Sequence, residues 1–336
     1  MLSIGAMGPG QSRYYLALAR EDYYLEGGEP PGLWYGDGAK CLGLEGMVSK
    51  TALHNLFQGL APNGDKPLVQ LQSGRRHQPG WDLTFSAPKS VSVLWSQASP
   101  ELRKAIQDAH LRSVHTALDY IEANAAFTRR GHGGVNREQC RLIVAMFEHG
   151  TSRAQEPQLH IHSLIMNVAA RDDGTFGTIT SHDFYLHKMV AGVLYRAQFA
   201  HECSHELHLE LTRGEHSFEL AAVPKSLNEH FSTRLHQILD AIAREGLSGP
   251  TAKDIAALNT REVKGHVARG ELFPRWRKTG RDHHFSEPEA VAAFGARTPD
   301  QISRSFLRLQ TGNAVKELSN RQSHFRRHRV PVRGAA

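Results

Sequence analysis

The feature that most constrains this chain is a pair of neighbouring apolar stretches that carry three histidines. Residues 142–147 and 159–168 are rich in β-branched and large apolar residues, which indicates strands, and the polar segment between them is long enough for a hairpin return. Side chains on a strand alternate between its faces, so His160 and His162 project from one face. His149 ends the preceding strand. The pattern therefore predicts that three imidazoles meet at one point.

Three convergent imidazoles indicate a metal site. Neutral imidazole ligates transition metals, and three protein ligands with one open position describe a catalytic site better than a structural one. Nitrogen ligands favour Mn²⁺ or Zn²⁺ over Mg²⁺, although phosphate and water would supply oxygens to Mg²⁺. The alternative is three surface histidines in a chain that contains 21, because His-x-His alone is a weak motif.

The overall composition favours a polyanionic partner. The chain has 336 residues, enough for one large domain or two small ones, and a formal net charge of +6. Its three cysteines form no CxxC pair, which argues against a cysteine zinc site, and their odd number fits a reducing compartment. The apolar runs are too short to span a bilayer, and the N-terminus lacks a secretory pattern. We therefore expect a cytoplasmic protein with no membrane insertion.

Four of the eight tyrosines fall near the N-terminus, in the doublets Tyr14-Tyr15 and Tyr23-Tyr24. Neighbours on a helix point about 100° apart, so one member of each doublet can pack while the other faces a cleft. A tyrosine hydroxyl can act as a nucleophile and form a covalent intermediate, which conserves the energy of a phosphodiester bond for later rejoining. The alternative role is packing, since tyrosine suits half-buried positions.

Polar and apolar residues alternate over residues 81–86, which places Asp82 on the polar face of a strand. A carboxylate there either faces solvent, orients a histidine ligand, or acts as a general base. Candidates for holding a nucleic-acid backbone are basic residues in polar segments. These are Arg75, Arg76, Arg129, Arg130 and Arg153.

Several helices are predicted around these strands. Ser99, followed by proline, is a helix start, and an apolar stripe continues to about residue 126. A long helix is expected over residues 181–209, and helical segments follow Pro224. The long helix contains HECSH, the spacing of zinc-dependent proteases, at His201 and His205. No third ligand is evident downstream, so this alternative ranks below the three-histidine site.

Three separated motifs occur in an order that resembles a known family. An N-terminal MLSI segment with both tyrosine doublets comes first, GWDLTFSAPKSVS follows, and FEHGTSR with QLHIH comes last. Together they resemble the plasmid conjugative relaxases of the MobF type, within the histidine-hydrophobe-histidine endonucleases. The resemblance covers about the first 225 residues well and the later helices more loosely.

The resemblance implies an α+β fold with a central antiparallel, palm-like sheet flanked by helices. It also implies three parts of the chain. A catalytic domain with the tyrosines and histidines spans residues 1–225, a helical finger region over the DNA groove spans 226–320, and a basic, disordered tail spans 321–336.

The resemblance further implies site- and strand-specific nicking of single-stranded DNA at a transfer origin. Carried over residue by residue, the metal ligands match His149, His160 and His162, and the acid beside them matches Asp82. The cofactor is then a divalent ion: Mn²⁺, Mg²⁺ or Zn²⁺.

The family's nucleophiles match the tyrosine doublets. Tyr14 matches the primary nucleophile and Tyr23 the candidate for a second strand transfer, with Tyr15 and Tyr24 as alternatives. The product would be a 5′-phosphotyrosine link and a free 3′-hydroxyl, whose attack reverses the step. Relaxosome accessory proteins and a coupling protein are the further partners implied.

Three alternatives remain open from the sequence. The first is a rolling-circle replication initiator, which belongs to the same endonuclease superfamily. The tyrosines lie upstream of the histidines in this chain, and that order favours a relaxase. The second is a metal-dependent hydrolase that acts through water. The third is a DNA-binding module whose histidines are structural. Larger members of the family continue into a helicase, whereas this sequence contains no GxxxxGK[ST] loop.

Overall fold

The computed structural model describes residues 1–8, 13–16, 29–70, 77–214, 217–246 and 269–295. Four residues singled out above, Tyr23, Tyr24, Arg75 and Arg76, lie outside the described residues, as does the basic tail.

The strands are short except in the centre of the molecule. In chain order they are β1 (Leu2–Ala6), β2 (Leu33–Tyr35), β3 (Gly80–Ser86), β4 (Phe127–Arg130), β5 (Asn136–Gln139), β6 (Val144–Thr151), β7 (Pro157–Met166), β8 (Ala169–Ala170), β9 (Phe176–Gly177), β10 (Leu211–Arg213) and β11 (Phe218–Leu220). Five of them form one antiparallel sheet in the order β1-β3-β7-β6-β2. This confirms the predicted antiparallel sheet and the α+β class.

The helices lie against this sheet and beyond its end. They are α1 (Asp37–Cys41), α2 (Lys50–Phe57), α3 (Lys89–Gln97), α4 (Pro100–Ala125), α5 (His182–His201), α6 (Lys225–His230), α7 (Thr233–Glu245), α8 (Arg269–Asp282) and α9 (Glu287–Ala293). Residues 13–16 form a further helical turn. Within the described ranges, no helix is long and apolar enough to cross a membrane.

The predicted helix start at Ser99 is confirmed by its capping hydrogen bond. The Ser99 hydroxyl accepts from the backbone N–H of Leu102 at 3.4 Å, and proline occupies the first turn of α4. The long helix predicted over 181–209 is present, but it ends three residues early and changes its geometry. The α-helix ends at His201, and a π-helical turn continues over Glu202–Glu206.

The central sheet separates two apolar clusters because residues on β7 alternate between its faces. Ile161 and Ile165 face the cluster built with α3, α4 and α5. Leu164 and Met166 face the opposite cluster, which includes Tyr15. The histidines of β7 share this second face, so the N-terminal segment covers the side of the sheet that carries them.

Helices α6, α8 and α9 contribute buried residues to the first cluster. Trp276 on α8 lies 6.0 Å from Trp95 on α3, measured between ring centroids. The indole N–H of Trp276 donates to the backbone oxygen of Gln155 at 2.9 Å, within the loop between β6 and β7. The α8 helix therefore contacts the turn of the histidine hairpin. The domain boundary at residue 225 stays a prediction.

Candidate three-histidine site

The β6–β7 hairpin brings the three histidines together on one face. In the antiparallel register His149 lies opposite His160, and His162 follows two residues later. The ring centroids are 5.4 Å apart for His149 and His160, 5.3 Å for His149 and His162, and 5.1 Å for His160 and His162. Because β6 extends to Thr151, His149 lies within the strand and not at its end.

The ring spacing fits a shared ion. A ring bound through one nitrogen at about 2.0–2.1 Å has its centre about 3.2 Å from the metal, so two such rings at a tetrahedral angle lie about 5.2 Å apart. In the described part of the chain, no group of three or more His, Cys, Asp or Glu side chains already stands in coordinating geometry. Rotation of an imidazole in place moves its nitrogens and leaves its centre nearly fixed, so the three ring centres already have the spacing of ligands that share one ion.

The hydrogen-bond acceptors beside the Nδ1 atoms of the three histidines also fit a metal site. The Nδ1 atom of His149 lies 2.5 Å from the Glu29 carboxylate, and that of His160 lies 2.8 Å from the backbone oxygen of Gln158. The Nδ1 atom of His162 lies 2.9 Å from Asp82. An acceptor at Nδ1 fixes the tautomer, so that Nε2 is the nitrogen each ring would offer to an ion. The sequence interpretation did not find Glu29.

Asp82 is buried although its strand pattern placed it on the polar face. The carboxylate is 9% exposed, because the N-terminal segment covers this side of β3. It accepts hydrogen bonds from the Tyr15 hydroxyl at 2.7 Å and from the Thr84 hydroxyl at 3.2 Å. Burial alone would raise the pKa of Asp82, but the charge and hydrogen bond of His162, with the two hydroxyl bonds, outweigh burial and lower the pKa. Asp82 is therefore an ionised group that holds His162 in place.

The first tyrosine doublet divides into a buried and an exposed member, as its helical geometry predicts. Tyr15 is 3% exposed, and burial together with the nearby charge of Asp82 raises the pKa of its hydroxyl well above the usual range. Tyr14 is 38% exposed, and its ring stacks on His149 with centroids 6.5 Å apart. Tyr14 is therefore the solvent-exposed member of the doublet.

The arginines predicted to hold nucleic acid differ in their surroundings. Arg153 is half-buried in the loop between the two histidine strands. Arg129 is exposed on β4, whereas the guanidinium of its neighbour Arg130 pairs with Asp173 at 2.8 Å and with Glu138 at 3.1 Å. Those ion pairs engage the guanidinium of Arg130 with two carboxylates.

The HECSH motif, with His201 and His205, does not have the arrangement of a zinc-dependent protease. His201 and His205 have ring centroids 4.4 Å apart, but the glutamate of the HECSH motif is engaged elsewhere. Glu202 is 5% exposed and accepts from Arg112 at 2.5 and 3.0 Å. A general base needs a carboxylate that can reach water, so this arrangement weighs against the hydrolase alternative at this motif.

Lys89 is a further charged group near the hairpin that the sequence interpretation did not select. Its ammonium donates to the backbone oxygen of Pro157 at 3.1 Å, at the first residue of β7. Burial lowers the pKa of Lys89 to about 8, and the negative charge of Glu156 opposes this shift.

The sequence of the chain matches one family of known proteins and two curated relatives. The sequence model of the TrwC relaxase family matches residues 9–283. The multifunctional conjugation protein TraI of Escherichia coli K12 is 33% identical over 300 residues, which cover 85% of this chain. A second TraI from Escherichia coli is 32% identical over 300 residues. The chain spans only 16% of the length of these two relatives.

Solved structures of the conjugative relaxase TrwC are also similar. A copper-bound complex with oriT DNA has a TM-score of 0.75 and 30% identity, and the match covers 85% of this chain and 99% of that chain. A metal-free complex with oriT DNA has a TM-score of 0.74 and 29% identity, with the same coverage. A complex with a 27-mer DNA that comprises the recognition hairpin and the cleavage site has a TM-score of 0.73, 29% identity and again the same coverage.

Proposed function

The chain belongs to the TrwC relaxase family, and on that premise we propose that it nicks single-stranded DNA at a transfer origin and rejoins it through a tyrosine intermediate. The observation that carries the proposal is the contact between the exposed Tyr14 ring and His149. These residues are 135 positions apart in the sequence. The fold therefore sets a phenol that substrate can reach beside three imidazoles with the spacing of metal ligands.

The proposed reaction uses Tyr14 as its nucleophile. In the proposed step the Tyr14 oxygen attacks the scissile phosphorus, and the bond from phosphorus to the 3′ oxygen breaks. The phenol proton passes to solvent and the departing 3′ oxygen takes up a proton, so the number of protons is conserved. The new bond joins Tyr14 to the 5′ phosphate, and attack by the 3′-hydroxyl reverses the step.

His149, His160 and His162 would hold a divalent ion, Mn²⁺, Mg²⁺ or Zn²⁺. Such an ion would bind phosphate oxygens and neutralise charge that develops during the transfer. Asp82 and Tyr15 would then act beneath the site, since the carboxylate fixes His162 and the buried hydroxyl fixes the carboxylate. The structures of TrwC include copper-bound and metal-free complexes, which supports metal binding in the family without choosing the ion.

The DNA strand would lie over the exposed side of Tyr14. Arg153 is a proposed backbone contact, because it lies in the turn that connects His149 and His160. Arg75 and Arg76 are proposed on sequence alone. Tyr23 is likewise the proposed nucleophile of a second strand transfer, with Tyr24 as the alternative. The relaxosome proteins and coupling protein implied by the resemblance remain predictions.

A labelled single-stranded oligonucleotide with a transfer-origin sequence tests the proposal. We expect an SDS-resistant adduct of protein and DNA when Mn²⁺ or Mg²⁺ is present, and none after chelation. Tyr14→Phe should abolish the adduct, and His160→Ala should reduce it severely. Tyr185→Phe is the matched control, since Tyr185 is 46% exposed on α5 and should retain the wild-type yield.

Two rival functions predict different products in the same assay, and the third requires a replication origin as substrate. Cleaved DNA with free ends and no adduct would favour a hydrolase that acts through water. Bound but uncut DNA would favour a DNA-binding module. Repeated initiation on a replication origin, without activity on a transfer origin, would favour a rolling-circle initiator. Each of these results would contradict the proposed function.

A further inference from the structure

Glu29 is a buried carboxylate that the proposed reaction does not use. It is 9% exposed, and the neighbouring His149 is 2% exposed. A carboxylate removed from water is costly unless its oxygens are hydrogen-bonded. One oxygen of Glu29 lies 2.5 Å from Nδ1 of His149, and the other accepts from the backbone N–H of Gly150 at 3.2 Å. The carboxylate therefore contacts two consecutive residues of β6.

The register of the sheet explains why Glu29 reaches this position. Leu33 on β2 pairs with Met146 on β6 in an antiparallel register, so each step back from Leu33 is one step forward along β6. The ladder of β2 with β6 ends at Leu33, and the preceding residues continue toward the C-terminal end of β6, where the Glu29 carboxylate accepts from the backbone N–H of Gly150. Pro30 and Pro31 follow Glu29 and restrict the backbone to extended conformations, which carry the chain along this line.

A close backbone contact holds the same segment against β6. A Cβ atom on Gly32 would lie 2.5 Å from the Phe147 ring, so only glycine lets the chain approach β6 this closely. Phe147 is two residues before His149 and shares its face of the strand. The approach of Gly32 therefore helps to set the distance between the Glu29 carboxylate and the imidazole.

The chemistry of the contact determines which nitrogen of His149 carries the proton. A carboxylate only accepts hydrogen bonds, so Nδ1 of His149 is the donor and Nε2 keeps the lone pair. Asp82 stands in the same relation to His162. Two buried carboxylates thus lie behind two of the three rings, and their charges would balance a dication.

We propose that Glu29 is a positioning residue that holds His149 in the orientation and tautomer required to ligate a divalent metal ion. The inference rests on the metal site of the proposed function. Loss of such an outer partner typically weakens metal binding by about 10- to 100-fold. A purely structural role for Glu29, as an anchor of the N-terminal segment, would change stability and leave metal affinity unaltered.

Glu29→Gln isolates the effect because it keeps the shape of the side chain. The backbone N–H of Gly150 can only donate, so the amide oxygen would face Gly150 and the amide N–H would face Nδ1 of His149. A donor facing Nδ1 would move the ring proton to Nε2. Glu29→Asp keeps the charge on a shorter side chain and should recover part of the affinity. Glu45→Gln is the matched control, since Glu45 is exposed in the same part of the chain.

Calorimetric titration of the metal-free protein with Mn²⁺ alone, without DNA, tests the inference. We expect Glu29→Gln to bind about 10- to 100-fold more weakly than wild type. Glu29→Asp should lie between the two, and Glu45→Gln should match wild type. The ¹⁵N resonances of histidine provide a second measurement: they should show a proton on Nδ1 of His149 in wild type and on Nε2 in Glu29→Gln.

Unchanged Mn²⁺ affinity in Glu29→Gln, or an unchanged tautomer of His149, would overturn the inference. If Glu29→Gln does not fold, Glu29→Asp decides by the same titration, and equal affinity to wild type overturns the inference. A wild-type protein that binds Mn²⁺ but forms no DNA adduct would overturn the proposed function and leave the role of Glu29 standing. Adduct formation by wild type, with undiminished Mn²⁺ binding by Glu29→Gln, would overturn the role of Glu29 alone.

Discussion

Replacing Tyr15 with phenylalanine would remove one hydroxyl from the buried group beneath the three histidines and leave the ring in place. That hydroxyl donates to Asp82 at 2.7 Å, and Tyr15 is 3% exposed. A hydrogen bond to a charged group contributes about 1.5–3 kcal/mol. Asp82 retains its bonds to His162 and Thr84, so we expect a loss of about 2 kcal/mol in the free energy of unfolding.

Tyr14→Phe is the complementary change, because Tyr14 lies on the exposed side of the doublet. Surface substitutions away from special contacts usually alter stability by less than about 0.5 kcal/mol. We therefore expect Tyr14→Phe to leave the unfolding midpoint unchanged and to abolish the DNA adduct. Tyr15→Phe should lower the midpoint and still form the adduct, because its hydroxyl positions Asp82 and does not attack the phosphate.

Urea denaturation and adduct formation would be measured on the same preparations of both variants. Urea midpoints with unchanged slopes report the stability difference, and gel electrophoresis in SDS reports the adduct. The assignment would be refuted if Tyr15→Phe lost the adduct at unchanged stability. It would equally be refuted if Tyr14→Phe retained the adduct. In either case the buried phenol or another tyrosine would be the nucleophile.

Three further predictions concern residues around the site. Burial lowers the pKa of Lys89 in the folded protein to about 8, whereas its ordinary value is 10.5. Between these two pH values Lys89 is protonated in the unfolded chain and neutral in the folded protein, so the contribution of Lys89 to stability rises with pH. The unfolding free energy of wild type relative to Lys89→Met should therefore increase over this window, on the order of 3 kcal/mol, and a flat difference would contradict the burial of the charge. A Cβ on Gly80 would lie 1.9 Å from the backbone oxygen of Ile165, so Gly80→Ala should disrupt the pairing of β3 with β7 and lower the thermal midpoint strongly, whereas Gly5→Ala on β1, which meets nothing within 4 Å, should not. His205→Ala should leave Mn²⁺ affinity and adduct yield at wild-type levels, and a strong loss of metal would restore the HECSH motif as a metal site.

Local sequence patterns were sufficient to predict the features whose physical cause lies within a few neighbouring residues. The cap at Ser99 requires only a hydroxyl and the backbone of the following turn. The hairpin of β6 and β7 follows from two apolar stretches with a polar return, and strand alternation then puts His160 and His162 on one face. Even the division of the first tyrosine doublet follows from helical geometry, since neighbours on a helix cannot share a face.

Other features could not be predicted from local patterns, because they depend on which segment of the chain covers each face of the sheet. Asp82 alternates like a solvent-facing residue, and it is buried only because the N-terminal turn lies over β3. The choice between Tyr14 and Tyr15 required knowing which ring enters that contact. The π-helical turn after His201 occurs where the Glu202 carboxylate meets Arg112 on another helix.

The sequence by itself determined the strands that carry Asp82 and the histidines, the capped helix at Ser99 and the convergence of three imidazoles, because hydrogen bonding within a turn and alternation along a strand act over a few residues. Only the tertiary structure decided which acceptor stands behind each imidazole. Glu29 and His149 are 120 positions apart in the chain, and their contact depends on the pairing of β2 with β6 and on the close approach of Gly32 to Phe147. Such a contact leaves no periodic trace in the sequence, because a single glutamate before two prolines looks like any polar loop until the sheet is assembled.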